Sequence, residues 1–178
     1  MSQMEFVKYG EGIPSVVRDD LRNYLEWNGI PRNVLTIFRA ADSLRIALGA
    51  GVEYHINGLV VGFSREDEEI CVDLDNGRVF LLADWSPTSP LQVNRDIYSF
   101  VESLVALQGM LPLYGRDRDL DESATAEVRV RAQLERIDPI SIEDPNSFWS
   151  AFLDDVAVGD YPGQGLSRTT VVTRVRVR

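Results

Sequence analysis

Apolar and polar residues alternate most regularly in residues 70–83, on both sides of the dipeptide Asn76-Gly77. Such a dipeptide between two alternating runs is typical of a two-residue β-hairpin turn, because the type I′ turn needs positive φ at both central residues. Counting outward from this turn predicts the cross-strand pairs Asp75–Arg78, Leu74–Val79, Val72–Leu81 and Ile70–Ala83. The last three pairs form an apolar face, and Asp73 and Cys71 lie on the other face. A shift of one residue would bury Asp73, so the alternation specifies the register.

The residues before this hairpin predict further strands of the same sheet. Residues 52–56 and 59–63 have strand character and are separated by a second turn signal, Asn57-Gly58. The acidic loop 64–69 leads from them into the hairpin. These connections are too short for parallel crossovers, so the segment predicts an antiparallel meander of three or four strands.

Residues 34–50 have two interpretations. Leu35, Ile37 and Phe38 favour the start of a strand, whereas residues 40–48 show some helical periodicity. The glycines of the following segment, Gly49-Ala50-Gly51, end whichever element precedes them. The pattern alone leaves both interpretations open.

Apolar residues at helical spacing predict four helices. Their expected limits are Ser15 (N-cap) to Gly29, Asn94 (N-cap) to Gly109, about residue 123 to residue 136, and Ser147 to Gly159. The side chains expected to face inward on the last two are Ala124, Val128, Arg131, Leu134 and Ile137, followed by Phe148, Trp149, Phe152, Leu153 and Val156. One helix, then strands, then helices is the order of an α+β fold. We therefore expect an antiparallel β-sheet, a meander with its central hairpin at Asn76-Gly77, covered by helices.

Charge is distributed unevenly over the 178 residues, whose net charge is −10. Residues 164–178 contain four arginines and no acid, which leaves 14 basic and 28 acidic residues, a charge of −14, in the rest of the chain. We expect a single domain over residues 1–163 and a basic, strand-like C-terminal tail over residues 164–178. Val, Thr and Arg alternate in residues 169–178, so this part pairs with a distant edge or another chain, or stays disordered.

The negative charge of residues 1–163 limits the classes of partner that this chain is expected to bind. It repels phosphate backbones, so we expect no direct contact with nucleic acid, whereas a basic protein is a suitable partner. The alternative is that the acidity only provides solubility. No apolar run is long enough for a membrane helix and the N-terminus is not a signal peptide, so no membrane partner is expected. A single cysteine cannot form an internal disulfide, which suits the cytoplasm.

Residues that carry common enzyme chemistry are sparse. His55 is the only histidine, which excludes a multi-histidine metal site, and it is expected in a strand with a local hydrogen bond. His55 and Cys71 could meet across neighbouring strands, but nothing nearby would lower the thiol pKa, so Cys71 is interpreted as an apolar filler. The segment Gly49-Ala50-Gly51 lacks the pattern of a nucleotide-binding loop. The sequence therefore predicts no catalytic residue, no metal site and no cofactor.

A group of acids with one aromatic residue close behind is the strongest surface feature. Its members are Glu66, Asp67, Glu68, Glu69, Asp73, Asp75 and Trp85. Protein interfaces often combine an aromatic anchor with charges that speed encounter with an oppositely charged partner, so this group is predicted to bind a partner protein. The alternative is that Trp85 is buried at the end of the sheet and the carboxylates are only solvated. A hydrolase built on paired carboxylates is less favoured, because solvent would keep all of them ionised.

Three segments resemble motifs of the SUKH superfamily and of its fourth branch. In residues 59–81, Leu-Val-Val-Gly-Phe is followed by Ile-Cys-Val-Asp-Leu-Asp-Asn-Gly-Arg-Val-Phe-Leu, similar to the central motif of a strand ending in glycine and a hairpin. Residues 93–100 resemble the branch's entry to the next helix. Asp138-Pro139 followed by Ser147-Phe148-Trp149 resembles its closing segment. The tail after Gly159 departs from the family pattern.

The resemblance implies a SUKH-like fold and the function of a bacterial immunity protein. Such a protein is cytoplasmic and non-catalytic, and it binds and neutralises a polymorphic toxin, often a nuclease or a deaminase. Together with the charge, this predicts a toxin domain with a basic surface as partner. The alternatives are a scaffold or assembly module whose C-terminal strand pairs with another chain, and an unrecognised hydrolase that uses the carboxylate cluster.

Overall fold

The computed structural model describes residues 4–50, 55–65, 68–83, 89–115 and 120–161. These residues form an α+β fold with a six-stranded antiparallel sheet, a two-stranded sheet and four α-helices, which confirms the predicted fold class. The strands are β1 (Phe6–Val7), β2 (Ile30–Pro31), β3 (Asn33–Val34), β4 (Phe38–Ala50), β5 (His55–Ser64), β6 (Glu68–Asp73), β7 (Val79–Leu82) and β8 (Leu91–Asn94). The helices are α1 (Asp19–Trp27), α2 (Ile97–Gly109), α3 (Leu120–Ile137) and α4 (Phe148–Val158), with a 3₁₀ turn at Pro139–Ile142.

The six-stranded sheet is a meander in which each strand pairs with its neighbour in sequence, from β3 to β8. Of the two interpretations of residues 34–50, the strand is correct, because Phe38–Ala50 form the long strand β4. β5 continues through Asn57-Gly58, so the turn predicted there is wrong. Gly58 pairs with β4 on one side and with Asp73 of β6 on the other. A Cβ atom on Gly58 would come within 2.9 Å of the Cys71 Cβ, so this glycine serves close strand packing.

The central hairpin forms between β6 and β7, but its register differs from the prediction by two residues. Val72 pairs with Val79, because four residues instead of two form the loop. Gly77 has a φ of +79° and Asn76 has no positive φ, so the predicted type I′ turn is wrong. The Gly77 N–H instead donates to the Asp73 carbonyl oxygen at 2.7 Å. A shift of two residues leaves each side chain on its predicted face: Ile70, Val72, Val79 and Leu81 on one, and Cys71, Phe80 and Leu82 on the other.

Two predicted helix starts are displaced. The N-cap residue of α1 is Arg18 instead of Ser15. The N-cap residue of α2 is Asp96, whose carboxylate accepts a hydrogen bond from the Ser99 N–H at 2.7 Å. Asn94, predicted for that role, is fully buried and forms other hydrogen bonds. The aspartate two positions later caps the helix because its side chain reaches the free N–H groups of the first turn.

The last two helices agree with the prediction to different degrees. Ser147 caps α4 by accepting a hydrogen bond from the Ser150 N–H at 3.1 Å, and Gly159 ends it with a φ of +83°. On α3, Ala124 and Val128 are exposed, so their predicted inward orientation is wrong. The buried face of α3 consists of Ser123, Ala126, Val130, Leu134 and Ile137. Two of these residues, Ser123 and Ala126, are small and only weakly hydrophobic, so hydrophobicity alone does not identify this face.

The main core lies between the helices and one face of the six-stranded sheet. Trp149 of α4 is its largest fully buried side chain. The rings of Phe38 and Phe100 meet edge to face, with centroids 5.3 Å apart. A Cβ atom on Gly62 would lie 2.3 Å from the Phe38 ring, so glycine is required where β5 passes beneath it. A smaller core on the opposite face of the sheet contains Ile56, Val60, Cys71, Phe80 and Leu82.

None of the helices in the described residues is long and apolar enough to cross a membrane. The predicted domain boundary at residue 163 and the tail 164–178 lie outside the described residues. The strand predicted at residues 169–178 lies outside them as well, so these statements stay predictions.

Candidate functional site

The predicted partner-binding acids lie at two ends of strand β6. Glu68 and Glu69 begin the strand, while Asp73 ends it and Asp75 lies in the following loop. At about 3.3 Å per residue, the two ends are roughly 17 Å apart. Glu66, Asp67 and Trp85 lie outside the described residues. The acids that the structure describes therefore do not form one cluster.

Asp73 organises the hairpin loop. Its side chain accepts hydrogen bonds from the Asp75 N–H at 3.0 Å and from the Asn76 side-chain amide at 2.6 Å. Its relative exposure is only 4%. The expectation that all of these carboxylates are solvated is therefore wrong for Asp73, whereas Asp75 is exposed.

Glu68 and Glu69 have different environments because neighbouring residues of a strand face opposite sides of the sheet. Glu69 forms a salt bridge with Arg45 of β4. Glu68 lies on the same face as Ile70, toward the helices, and is only 6% exposed, so solvation was also wrongly expected for it. Within the part of the chain that the structure describes, the Glu68 carboxylate has no hydrogen-bond or salt-bridge partner, and its oxygens remain accessible to solvent.

Glu68 lines a cleft of about 570 Å³ between one end of the sheet and α4. The sheet contributes the end of β5, the start of β6 and the segments beside β7 and β8, and α4 forms the opposite wall. The lining residues that matter here are Arg65, Glu68, Phe148, Phe152, Asp155 and Tyr161. Apolar walls with a few convergent polar groups are typical of ligand and partner sites.

Tyr161 closes the cleft beside α4. Its ring packs on Phe152 with centroids 4.9 Å apart, and its N–H donates to the Tyr114 hydroxyl at 2.5 Å. Burial raises the pKa of the Tyr161 hydroxyl, and the nearby charge of Asp155 raises it further, while a hydrogen bond with Thr36 opposes the shift. The phenol therefore stays neutral at physiological pH, and the charges on this side of the cleft come from Asp155 and Arg65.

His55 and Cys71 do not meet. His55 begins β5 opposite Ala50 and is exposed, whereas Cys71 pairs with Val60, five residues further along β5. Five residues of strand correspond to about 16 Å. Burial raises the pKa of the Cys71 thiol to about 12, with a further increase from Glu69, so the thiol is protonated at neutral pH. This environment agrees with an apolar filler and opposes a role as nucleophile.

A buried hydrogen-bond network connects the segments around β8 and α4. The Asn94 side-chain amide donates to the Asp138 carboxylate at 2.9 Å, and its oxygen accepts from the Trp149 indole N–H at 2.9 Å. The same carboxylate oxygen of Asp138 accepts from the Arg95 N–H at 2.9 Å. Asn94, Asp138 and Trp149 are all fully buried. The network holds β8, the 3₁₀ turn and α4 together, and it is separate from the cleft.

Sequence reasoning missed the α4 wall of the cleft. Phe148 and Phe152 were predicted only as core residues, and Asp155 and Tyr161 were not singled out. One signal was present on the opposite wall: Glu68 continues the alternation of Ile70 and Val72 toward the apolar face. A charged residue in that position of a strand is unusual, because buried charges are normally paired.

Comparison with known proteins gives one family. A family model described as SUKH-4 immunity protein matches residues 14–155, more than half of the chain. No curated protein and no solved structure matches this chain significantly. The matched residues include the Asn94 network, Glu68 and the α4 wall up to Asp155, and they do not include the tail.

Proposed function

Because this chain belongs to the SUKH-4 immunity protein family, we propose that it binds and neutralises a cognate protein toxin. The match over residues 14–155 is the observation that carries this proposal. Polymorphic toxins with nuclease or deaminase activity are the toxin class implied by the resemblance. The partner is thus a protein domain, and the chain itself does not contact nucleic acid.

We further propose that neutralisation occurs by occlusion, without a reaction catalysed by this chain. The buried, protonated Cys71 thiol and its separation from His55 support this. The chain covers the toxin's active site by binding to it in the cytoplasm. The charge of −14 outside residues 164–178 favours a toxin with a basic surface, because opposite charges accelerate association.

The test uses the toxin domain encoded beside this chain's gene. Co-expression is expected to restore growth of cells that express the toxin domain, and the purified proteins are expected to form a stable complex in which toxin activity is lost. A toxin domain encoded beside an unrelated immunity gene is the matched control and should remain active. Absence of binding to every neighbouring toxin domain would contradict the proposal.

A further inference from the structure

Glu68 is a mostly buried acid whose carboxylate has no partner in the described residues. Three acids are buried in the described residues. Asp73 accepts hydrogen bonds through both carboxylate oxygens, whereas Asp138 accepts them through Oδ2 and its buried Oδ1 has no partner. The Glu68 carboxylate accepts no hydrogen bond in the described residues, and its oxygens are accessible from the cleft that Glu68 lines. Acidic residues that are as little exposed as Glu68 are normally paired with a cation or with hydrogen-bond donors. The free side of Glu68 therefore fits a cation that enters from outside.

We propose that the cleft receives an arginine side chain of the bound toxin and that its guanidinium group pairs with Glu68. This inference rests on the proposed function and assigns the contact through which binding occurs. It also selects one end of the predicted acidic group, because Asp75 lies at the opposite end of β6.

The walls of the cleft favour arginine as the cation. Phe148, Phe152 and Tyr161 present aromatic rings along the α4 side. A guanidinium group is planar and weakly hydrated, so it stacks on aromatic rings while it forms two parallel hydrogen bonds to a carboxylate. The charged residues that line the cleft are two acids, Glu68 of β6 and Asp155 of α4, and one cation, Arg65, so their net charge is negative. The volume of about 570 Å³ lies within the usual range of ligand sites, roughly 300–1,000 Å³, and accommodates the side chain with part of its flanking backbone.

The chain's own tail carries the same chemistry, with four arginines in residues 164–178. The family match favours the toxin as the source of the arginine. It covers residues 14–155, so the part of the chain that carries the family's function contains Glu68 and does not contain the tail. The tail is the competing occupant of the cleft.

The first experiment measures binding of the neighbouring toxin domain to the full-length chain and to Glu68→Gln. Glutamine keeps the shape of glutamate and removes its charge, so the melting temperature is expected to stay the same or rise. The dissociation constant is expected to increase about tenfold or more, mostly through faster dissociation, because the toxin arginine loses its buried partner. Glu135→Gln makes the same substitution at an exposed position of α3 outside the cleft and should change the constant less than about twofold. Equal binding by wild type and Glu68→Gln would overturn the inference.

The second experiment does not depend on a toxin, so it separates this inference from the proposed function. Amide NMR spectra of the full-length chain are recorded with acetyl-Gly-Arg-Gly-amide and with the same peptide containing citrulline, the uncharged analogue of arginine. The arginine peptide is expected to shift the amide signals of Ser64, Glu68 and Ala151, and these shifts should be lost with citrulline or in Glu68→Gln. Shifts that are equal for both peptides, or absent from the cleft, would overturn the arginine site even if a toxin complex forms.

A tail variant distinguishes the two possible sources of arginine. Its substitutions are Arg168→Gln, Arg174→Gln, Arg176→Gln and Arg178→Gln in the full-length chain. Peptide binding that is unchanged supports an open cleft for the toxin. Binding that becomes several-fold tighter would show that the tail occupies the cleft, and the assignment to the toxin would be overturned.

Discussion

The Cys71 thiol lies in the small core on the outer face of the sheet, between Val60 and Phe80 of the neighbouring strands. Burial raises its pKa from 9.0 to about 12. As the pH rises above about 9, the unfolded chain releases this proton first, while the folded chain keeps it. The unfolded state then binds fewer protons than the folded state, so the protein loses stability with rising pH in this range.

We therefore predict that the free energy of unfolding of the wild type decreases between about pH 9 and pH 12 relative to that of Cys71→Ala. Urea unfolding at a series of pH values measures the difference. Tyr9 and Tyr24, whose pKa values are also raised to about 12, contribute equally to both proteins and cancel in the comparison. Parallel pH profiles of the two proteins would contradict the prediction.

Gly62 illustrates a second effect at the scale of one residue, the lack of space for a single methyl group. We predict that Gly62→Ala destabilises the protein by about 1–3 kcal/mol, because the new Cβ would lie 2.3 Å from the Phe38 ring and 2.6 Å from the Arg39 carbonyl oxygen. Gly109→Ala is the matched control, since nothing lies within 4 Å of its Cβ position and the residue ends a helix. Chemical denaturation should show an unchanged or slightly higher stability for the control. A loss below about 0.5 kcal/mol in Gly62→Ala would show that β4 moves away without cost.

At the scale of elements, the buried side chains of Asn94, Asp138 and Trp149 determine how three segments are joined. β8 supplies Asn94, the residue before the 3₁₀ turn supplies Asp138, and α4 supplies Trp149. These are residues of the segments in which the sequence resembles the SUKH family. Their hydrogen bonds give a physical reason for the resemblance, because these residues hold the three segments together.

We predict that Asn94→Ala lowers the free energy of unfolding by about 2–4 kcal/mol, because the Trp149 indole N–H and the Asp138 carboxylate each lose a buried hydrogen bond. Gln92→Ala is the control on the same strand. Gln92 is half-buried and accepts a hydrogen bond of only 3.5 Å from Arg78, so its loss should cost less than about 1 kcal/mol. Similar losses in both variants would argue against the network.

Features that depend on a local sequence pattern could be predicted from the sequence. Features that depend on particular side-chain contacts in the folded protein could not. The hairpin, the start and end of α4 and the faces of β6 and β7 follow from Asn76-Gly77, Ser147 and the alternation of side chains. The register does not, because the Asp73 carboxylate stabilises a longer loop that counting residues does not reveal. The buried face of α3 was predicted incorrectly, because Ser123 and Ala126, which belong to it, are small and only weakly hydrophobic.

Only half of the candidate site could be found from the sequence. Glu68 was included among the acids, but it was expected to be solvated, although its alternation with Ile70 places it on the buried side. Its opposite wall comes from α4, about 80 residues later in the chain, and no spacing rule connects the two. Asp155 was not singled out from the sequence, although it borders the same cleft.

At the scale of the whole molecule, the two parts of the chain differ in charge: residues 1–163 carry −14 and residues 164–178 carry +4. Removing residues 164–178 changes the net charge from −10 to −14. A more negative protein attracts a basic toxin over a longer distance, and this effect weakens when salt screens the charges.

We predict that deletion of residues 164–178 leaves the melting temperature within about 2 °C of the full-length value and increases the association rate with the toxin domain at low salt. Differential scanning calorimetry and stopped-flow binding measure the two quantities, and the rate increase should largely disappear in about 0.5 M NaCl. A chain that no longer folds would contradict a single domain over residues 1–163. A folded chain that no longer assembles or captures its partner would favour the scaffold hypothesis.

One face of α4 packs in the core, and the other lines the cleft. Trp149 and Leu153 point into the core, whereas Phe148, Ala151 and Asp155 border the cleft. With the toxin bound in the cleft as proposed, substitutions on the second face would change which toxin is recognised while the interior stays intact. Because the residues that maintain the fold are different from those that line the cleft, single mutations could adapt binding to a changed toxin surface without a change of fold.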